Sequence, residues 1–228
     1  MTPDLVIFDC DGVLVDSEPI INRAHARVLN ACGYATTAQT LLERFCGMTD
    51  AAVKRIIEGE LGRALPGDYD AQVGRLLERE FRGALRAVDG VDAAIASLSS
   101  PVCCYRVCVA SSSSPLQLRR KLELTGLIDH FGGNLFSAAL VARSKPAPDL
   151  FLYAAARMGA APGRCVVVED SRAGIEAARA AGMMAIGFCG GSHCASDHAD
   201  RLLGCGAALA IAGMAELLPA IERLAAGP

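Results

Sequence analysis

Residues 5–18 read LVIFDCDGVLVDSE. Four apolar side chains, Leu5 to Phe8, run straight into an Asp-rich turn, the pattern of a parallel strand buried on both faces whose carboxyl end opens onto a site. Asp9 and Asp11 bracket one residue, so on an extended chain their carboxylates share a side, and Gly12 lets the backbone turn away tightly. The chemistry is expected to begin at Asp9. An Asp-x-Asp-Gly turn alone also fits a metal turn or a plain loop, so its partners have to come from elsewhere in the chain.

Outward from this turn the pattern becomes helical. Ser17 can cap a helix in which Ile21, Ala24, Val28, Leu29 and Cys32 share a face, and Gly33 stops it. Val73, Leu76, Leu77, Ala84, Leu85 and Val88 repeat the spacing, so residues 17–88 read as an all-helical insertion. After Asp89 and Gly90 the elements alternate, with apolar strand-like runs at Val102–Ala110, Cys165–Val168, Met184–Phe188 and Ala207–Ile211 separated by helical segments. The expected fold is therefore α/β: a doubly wound parallel-sheet core over 1–16 and 89–228, with a helical domain inserted at 17–88. The length of 228 residues, about one and a half ordinary domains, suits one core with a sizeable insertion.

Composition removes several functions. Hydrophobic residues make up 52% and the formal net charge is −3, which excludes intrinsic disorder and gives no basic surface for nucleic acid. The ten cysteines would suit a secreted disulfide framework, but the amino terminus carries Asp4, Asp9 and Asp11 where a signal peptide needs a basic stretch and an apolar core. A reducing cytoplasmic setting with free thiols is the expectation. The longest uncharged stretch, Leu202–Ala215, has 14 residues and three glycines, too short and interrupted to span a bilayer.

Ligands of doubly wound sheets bind beyond the carboxyl ends of the strands, and four segments place reactive groups there. These are Asp9 and Asp11 in FDCDG, Ser111 in VASSSS, Lys145 in SKPAPD, and Glu169 with Asp170 in VVVED. Four carboxylates in one pocket raise one another's pKa values unless a cation sits among them, and hard oxygen donors favour Mg2+. Glu169 and Asp170 also fit a simple role at the start of a helix near Ser171. Only three of the 22 basic residues are lysines, Lys54, Lys121 and Lys145. An ammonium at Lys145 is a compact charge suited to a site shared by a carboxylate and a phosphate oxygen. Ser111, followed by the amides of Ser112 and Ser113 and by Pro115 at a helix start, makes an anion cradle.

FDCDGVLVDSE, VASSS, SKPAPDLF and VVVEDSRAGIEAA, in this order, resemble the four motifs of the haloacid dehalogenase-like hydrolase superfamily. The helical insertion falls where its phosphoglucomutase-like branch carries a cap domain. The resemblance implies an Mg2+-dependent phosphatase in which Asp9 attacks a phosphoryl group to form an aspartyl-phosphate, while Asp11 protonates the leaving oxygen and then activates water. It implies metal ligation by the Asp9 carboxylate, the Asp11 carbonyl, Asp170 and Glu169, and phosphoryl binding by Ser111 and Lys145. The expected substrate is a small phosphorylated metabolite, a sugar phosphate or phosphorylated sugar acid.

Asp11 argues against a haloacid dehalogenase, which lacks that acid/base, and no cap lysine is marked for the Schiff base of a phosphonatase. A phosphomutase is the rival enzyme. β-Phosphoglucomutases place a histidine and an arginine in the cap where this chain has Ile21 and Asp50. A non-catalytic module that binds phosphorylated metabolites is the rival of another class, opposed by the intact Asp9, Asp11, Lys145 and Asp170. The break FCGMTD, Phe45–Asp50, stands where the family's specificity loop would, with Thr49, Asp50 and Lys54 as candidates for substrate selection. Cys189, His193, Cys194 and His198 match no zinc spacing and read as a Gly- and Ser-rich solvent loop. Cys103 and Cys104 read as small apolar strand residues, and His25 and His130 as helix residues without a catalytic part.

Overall fold

The computed structural model describes residues 3–45 and 50–226. Among them, six parallel strands form one sheet: β1 Leu5–Phe8, β2 Arg106–Ser111, β3 Leu135–Ser137, β4 Cys165–Glu169, β5 Met184–Phe188 and β6 Leu209–Ile211, in the order β3-β2-β1-β4-β5-β6. This is the expected doubly wound α/β core, with the order reversing beside the first strand. Leu5 to Phe8 have no exposed surface. Alternate residues serve opposite faces: Leu5 and Ile7 join the cluster of Leu150, Phe151, Ala154 and Ile175, while Phe8 meets Phe131 edge to face at 6.2 Å. Each such side chain contributes about 1.5–3 kcal/mol, which is why this short strand can hold the centre of the sheet.

Register brings the strand tips level. Phe8 stands opposite Val109 on one side and Val168 on the other, so Asp9, Ala110 and Glu169 occupy the next row. The Asp9 amide extends the ladder by donating to the Val168 carbonyl (3.0 Å).

The chain divides into two compact units, Met1–Asp16 with Arg86–Pro228, and Ser17–Leu85. Arg86 to Val88 thus leave the expected 17–88 segment and join the sheet unit. The Asp16 amide donates to the Arg86 carbonyl (3.0 Å), Val15 faces Ala87 in an antiparallel bridge, and the Val88 amide donates to Leu14 (2.9 Å). The second unit holds α1 Glu18–Ala31, α2 Ala38–Phe45, α3 Asp50–Leu61 and α4 Tyr69–Ala84. Ser17 occupies the N-cap position of α1 without a side-chain capping bond, and Gly33 follows the helix at φ +85°. The buried face of α1 is Ile20, Ala24, Ala26, Val28 and Leu29, turned by one residue from the expected Ile21. In α4 it is Tyr69, Val73, Leu77 and Phe81, and Leu85 already has extended backbone.

The remaining helices belong to the sheet unit: α5 Val91–Leu98, α6 Pro115–Leu124, α7 Asp149–Arg157, α8 Arg172–Ala180, α9 His198–Gly204 and α10 Leu217–Ala226. Two strand expectations are corrected, and in one of them β6 starts at Leu209 rather than at Ala207. The Val102–Ala110 run opens with a turn, in which Val102 is 92% exposed and Cys104 is exposed at φ +56°, so β2 begins only at Arg106 and Cys103 and Cys104 are not strand residues. The Cys104 thiol donates to the Pro101 carbonyl, which fits the turn. The short β3 lacks a run long enough to show a period. No helix among the described residues is long and apolar enough to cross a membrane, and the described cysteines are free thiols.

Candidate active site

The turn after β1 is built from main-chain bonds. The Cys10 carbonyl accepts from the amides of Leu14 and Val15, and the Gly12 amide donates to Val15. Gly12 sits at φ +78°, and a Cβ there would lie 1.9 Å from Oδ2 of Asp170, so only glycine allows the first and last acidic turns to touch.

Lys145 occupies the centre. Its Nζ donates to Oδ1 of Asp9 (2.6 Å), Oε1 of Glu169 (2.6 Å) and the Ala110 carbonyl (3.0 Å), and lies 4.9 Å from the centre of the Phe151 ring. All three ionic side chains are at most 10% exposed. Burial opposes the charge on Lys145, but the two carboxylates outweigh it and hold the ammonium above the usual lysine pKa. Burial likewise drives the Asp9 carboxyl well above its ordinary value, with Lys145 pulling it back and Glu169 and Asp170 pushing further. Asp170 is raised too, by burial and then by Glu169.

Glu169 has its second oxygen taken as well, since Oε2 accepts from the Ser171 amide (3.0 Å) and hydroxyl (2.8 Å). Gly174 makes room, because a Cβ there would strike the Glu169 carboxylate at 1.8 Å. Ser171 caps α8 through its hydroxyl, so capping falls to the serine and the acids before it are left for the site.

The four serines from the end of β2 onward divide their work. Ser111 is buried at the strand end and its hydroxyl accepts from the Ser113 amide (3.1 Å), Ser112 is exposed, and Ser114 caps α6. Ser113 donates from its hydroxyl to Oδ2 of Asp11 (2.9 Å), and Lys121 reaches Oδ1 of the same carboxylate and the Ser113 hydroxyl (2.9 Å). Burial disfavours the Lys121 charge, yet Asp11 more than offsets it and the pKa rises. Lys121 was not among the expected site residues, and Ser113 was expected there only through its amide, not its hydroxyl. The signal lay in a scarce lysine placed on the apolar face of a helix, between Leu118 and Leu122.

The segment expected to be a solvent loop is also part of the site. Nε2 of His193 lies 2.9 Å from Oδ2 of Asp170, and Nε2 of His198 donates to the Asp170 carbonyl (2.7 Å). The His193 side chain is 4% exposed, so that expectation is corrected. Burial holds the His198 imidazole below its ordinary pKa. His25 meets the Tyr69 hydroxyl in the helical unit (2.8 Å), and His130 lies 2.6 Å from Asp92. Of the candidates for substrate selection, Lys54 on α3 has its ammonium in the Asp70 carboxylate at 2.5 and 2.6 Å, and Thr49 lies outside the described residues.

Asp9, Glu169 and Asp170 each offer an oxygen within 4.8 Å of the others. With Asp11 they make four carboxylates against the two ammonium groups of Lys145 and Lys121, leaving two negative charges when all are ionised. A divalent cation with a preference for hard oxygen fits both the donor set and the charge.

The family model for haloacid dehalogenase-like hydrolases matches residues 3–182, which includes the segments carrying Asp9, Asp11, Ser111, Lys121, Lys145, Glu169 and Asp170 but not the one carrying His193 and His198. The chain belongs to that hydrolase family. A 6-phosphogluconate phosphatase of Escherichia coli (strain K12) is 31% identical over 195 residues, covering 83% of this chain and 84% of its own. The fructose-1-phosphate phosphatase YqaB of the same strain is 35% identical over 187 residues, covering 79% and 94%. A crystal structure of a conserved haloacid dehalogenase-like protein of unknown function from Agrobacterium tumefaciens str. C58 is 41% identical with a TM-score of 0.86, covering 97% and 99%. This haloacid dehalogenase-like hydrolase thus matches its relatives over most of their lengths, sheet and helical unit together.

Proposed function

We propose that this hydrolase is an Mg2+-dependent phosphatase that removes the phosphoryl group from a small phosphorylated sugar or sugar acid. The enzyme is a phosphoric monoester hydrolase of the haloacid dehalogenase type. The observation that carries the reading is the buried triad of Asp9, Lys145 and Glu169, with Asp11 held separately by Lys121 and Ser113. Two carboxylates one residue apart are thereby given different surroundings, as two different roles require.

In the proposed reaction a carboxylate oxygen of Asp9 attacks phosphorus while Asp11 gives its proton to the departing sugar oxygen, leaving an aspartyl-phosphate and the free alcohol. Asp11, now ionised, takes a proton from water, whose oxygen attacks the phosphorus, releases inorganic phosphate and restores the Asp9 carboxylate. Lys145 holds Asp9 in place and, with the hydroxyl of Ser111 and the amide of Ser112, accepts the charge of the phosphoryl oxygens. Asp9, Asp170, the Asp11 carbonyl and Glu169 would hold Mg2+, which when bound supplies charge neutralisation beside the transferring group. Because both Glu169 oxygens already accept protein donors, its contact with the ion would run through water or follow a shift of Lys145. The helical unit would act as a cap that excludes water, with Thr49 and Lys54 selecting the sugar. The sugar-phosphate phosphatases among its relatives support this substrate class.

The test is release of inorganic phosphate from a panel of phosphorylated sugars and sugar acids, with and without Mg2+. Asp9→Asn is expected to abolish release while keeping the melting transition, and near-native release by that variant would refute the assignment. Isomerisation of a sugar phosphate that needs a bisphosphate primer would establish the mutase instead. No release from the panel or from an aryl phosphate would leave a binding module.

A further inference from the structure

We propose that His193 is a positioning residue for Asp170, fixing the direction in which that carboxylate faces the acidic cluster and so setting the affinity for the divalent ion. The inference rests on the metal-dependent reading above. The loop after β5 and the first residue of the helix it leads into supply the two imidazoles that grip Asp170: His193 lies 2.9 Å from Oδ2, and His198, opening α9, donates to the main-chain carbonyl of the same residue at 2.7 Å. The side chains of His193 and Asp170 are 4% and 8% exposed, so water competes little for the contact. The two rings meet edge to face with centroids 5.9 Å apart.

Two glycines leave the space that this ring fills. A Cβ at Gly191 would lie 2.6 Å from Cε1 of His193, and one at Gly12 would lie 2.8 Å from the same atom. The imidazole is therefore wedged between the turn that carries Asp9 and Asp11 and the strand end that carries Asp170. With Oδ2 committed to His193, rotation about the Asp170 Cβ–Cγ bond is blocked and Oδ1 is presented in one direction. A carboxylate already ordered loses less freedom on meeting a cation, and partners of this kind affect metal affinity by about 10–100-fold.

The measurement is calorimetric titration of MgCl2 into the metal-stripped full-length protein, alongside the Mg2+ dependence of phosphate release. His193→Ala is expected to raise the Kd for Mg2+ by about 10–100-fold, with kcat at saturating Mg2+ within about threefold of wild type. His193→Gln, whose amide N–H can reach Oδ2, is expected to recover most of the affinity. Unchanged Kd in a folded His193→Ala protein would overturn the proposal, and so would equal loss in the Ala and Gln variants, which marks packing alone. Should the Ala variant fail to fold, the Gln variant decides: a Kd near wild type supports positioning, and a tenfold or greater loss refutes it, at about the scale expected for such partners. Wild-type protein that binds no Mg2+ would sink the metal reading together with this one, whereas wild-type binding with an unmoved variant sinks this one alone.

Discussion

Replacing Lys145 by Met removes an ammonium that touches both Asp9 and Glu169 while nearly preserving side-chain volume, so charge rather than cavity is tested. The three ionic side chains are at most 10% exposed, which leaves little solvent to take over from the lost partner. Breaking a buried ion pair from one side costs about 3–5 kcal/mol. For a protein of this size each kcal/mol moves the midpoint by about 2–4 °C, so the sheet unit of Lys145→Met should melt about 6–20 °C below wild type in EDTA at pH 8. The difference should shrink at lower pH, where the abandoned Asp9 carboxyl, already raised by burial, takes up a proton, and shrink again when Mg2+ is added. A Lys145→Met, Glu169→Gln double variant should recover part of the loss, with a coupling of about 0.5–3 kcal/mol. Differential scanning calorimetry of wild type, Lys145→Met, Glu169→Gln and the double variant reads all of this. A midpoint for Lys145→Met within about 2 °C of wild type at pH 8 without metal would mean the cluster is not ionised as described.

Asp9 and Asp170 have raised pKa values in the folded protein, so the folded state holds their protons to higher pH than the unfolded chain does. Stability of the metal-free protein should therefore fall as pH rises from the ordinary carboxylate range through the raised values, and the Mg2+-induced gain in midpoint should grow over the same interval; a gain independent of pH would refute the coupling. Gly12→Ala meets both a positive φ and the Asp170 carboxylate, whereas Gly126→Ala meets a positive φ (+74°) with nothing within 4 Å. The Gly126 variant should lose about 1–2 kcal/mol and keep its activity, and the Gly12 variant should lose more stability and nearly all phosphate release; equal behaviour would refute the close-approach argument. Lys121→Met frees Asp11 from its cation and should lower kcat about tenfold or more with a little-changed KM, read from steady-state phosphate release; an unchanged kcat would remove Lys121 from the reaction.

The centre of the fold was legible because each central strand carries its own signal. Leu5–Phe8 and Cys165–Val168 are unbroken apolar runs that end in acids, and Met184–Phe188 is read to the residue. The start of β2 was not, because Val102, Cys103 and Cys104 continue the apolar pattern through a turn that composition does not mark. Strand β3 owes its existence to a neighbour, and three residues have no period to read. The candidate site followed the same division. Asp9, Asp11 and Asp170 follow strands and Glu169 ends one, so parallel pairing carries them to one edge, while Lys145 reaches it from the loop between β3 and α7. Lys121, His193 and His198 come to that edge from two helices and a loop, and their partners are set by tertiary approach rather than by neighbours in the chain. A Gly- and Ser-rich stretch reads as solvent-exposed, yet at Gly191 the missing side chain makes room for an imidazole.

At the junction of the two units, Asp16 and Arg86 are joined by a main-chain bond and Val15 and Ala87 stand face to face. Two chain ends in that relation are already the stems of a β-hairpin, so a short reverse turn such as Asn-Gly could replace everything between them without tearing a strand from the sheet. The core can therefore be made as a minimal, continuous protein, and entire helical inserts could be exchanged at this seam while the acidic pocket is inherited unaltered.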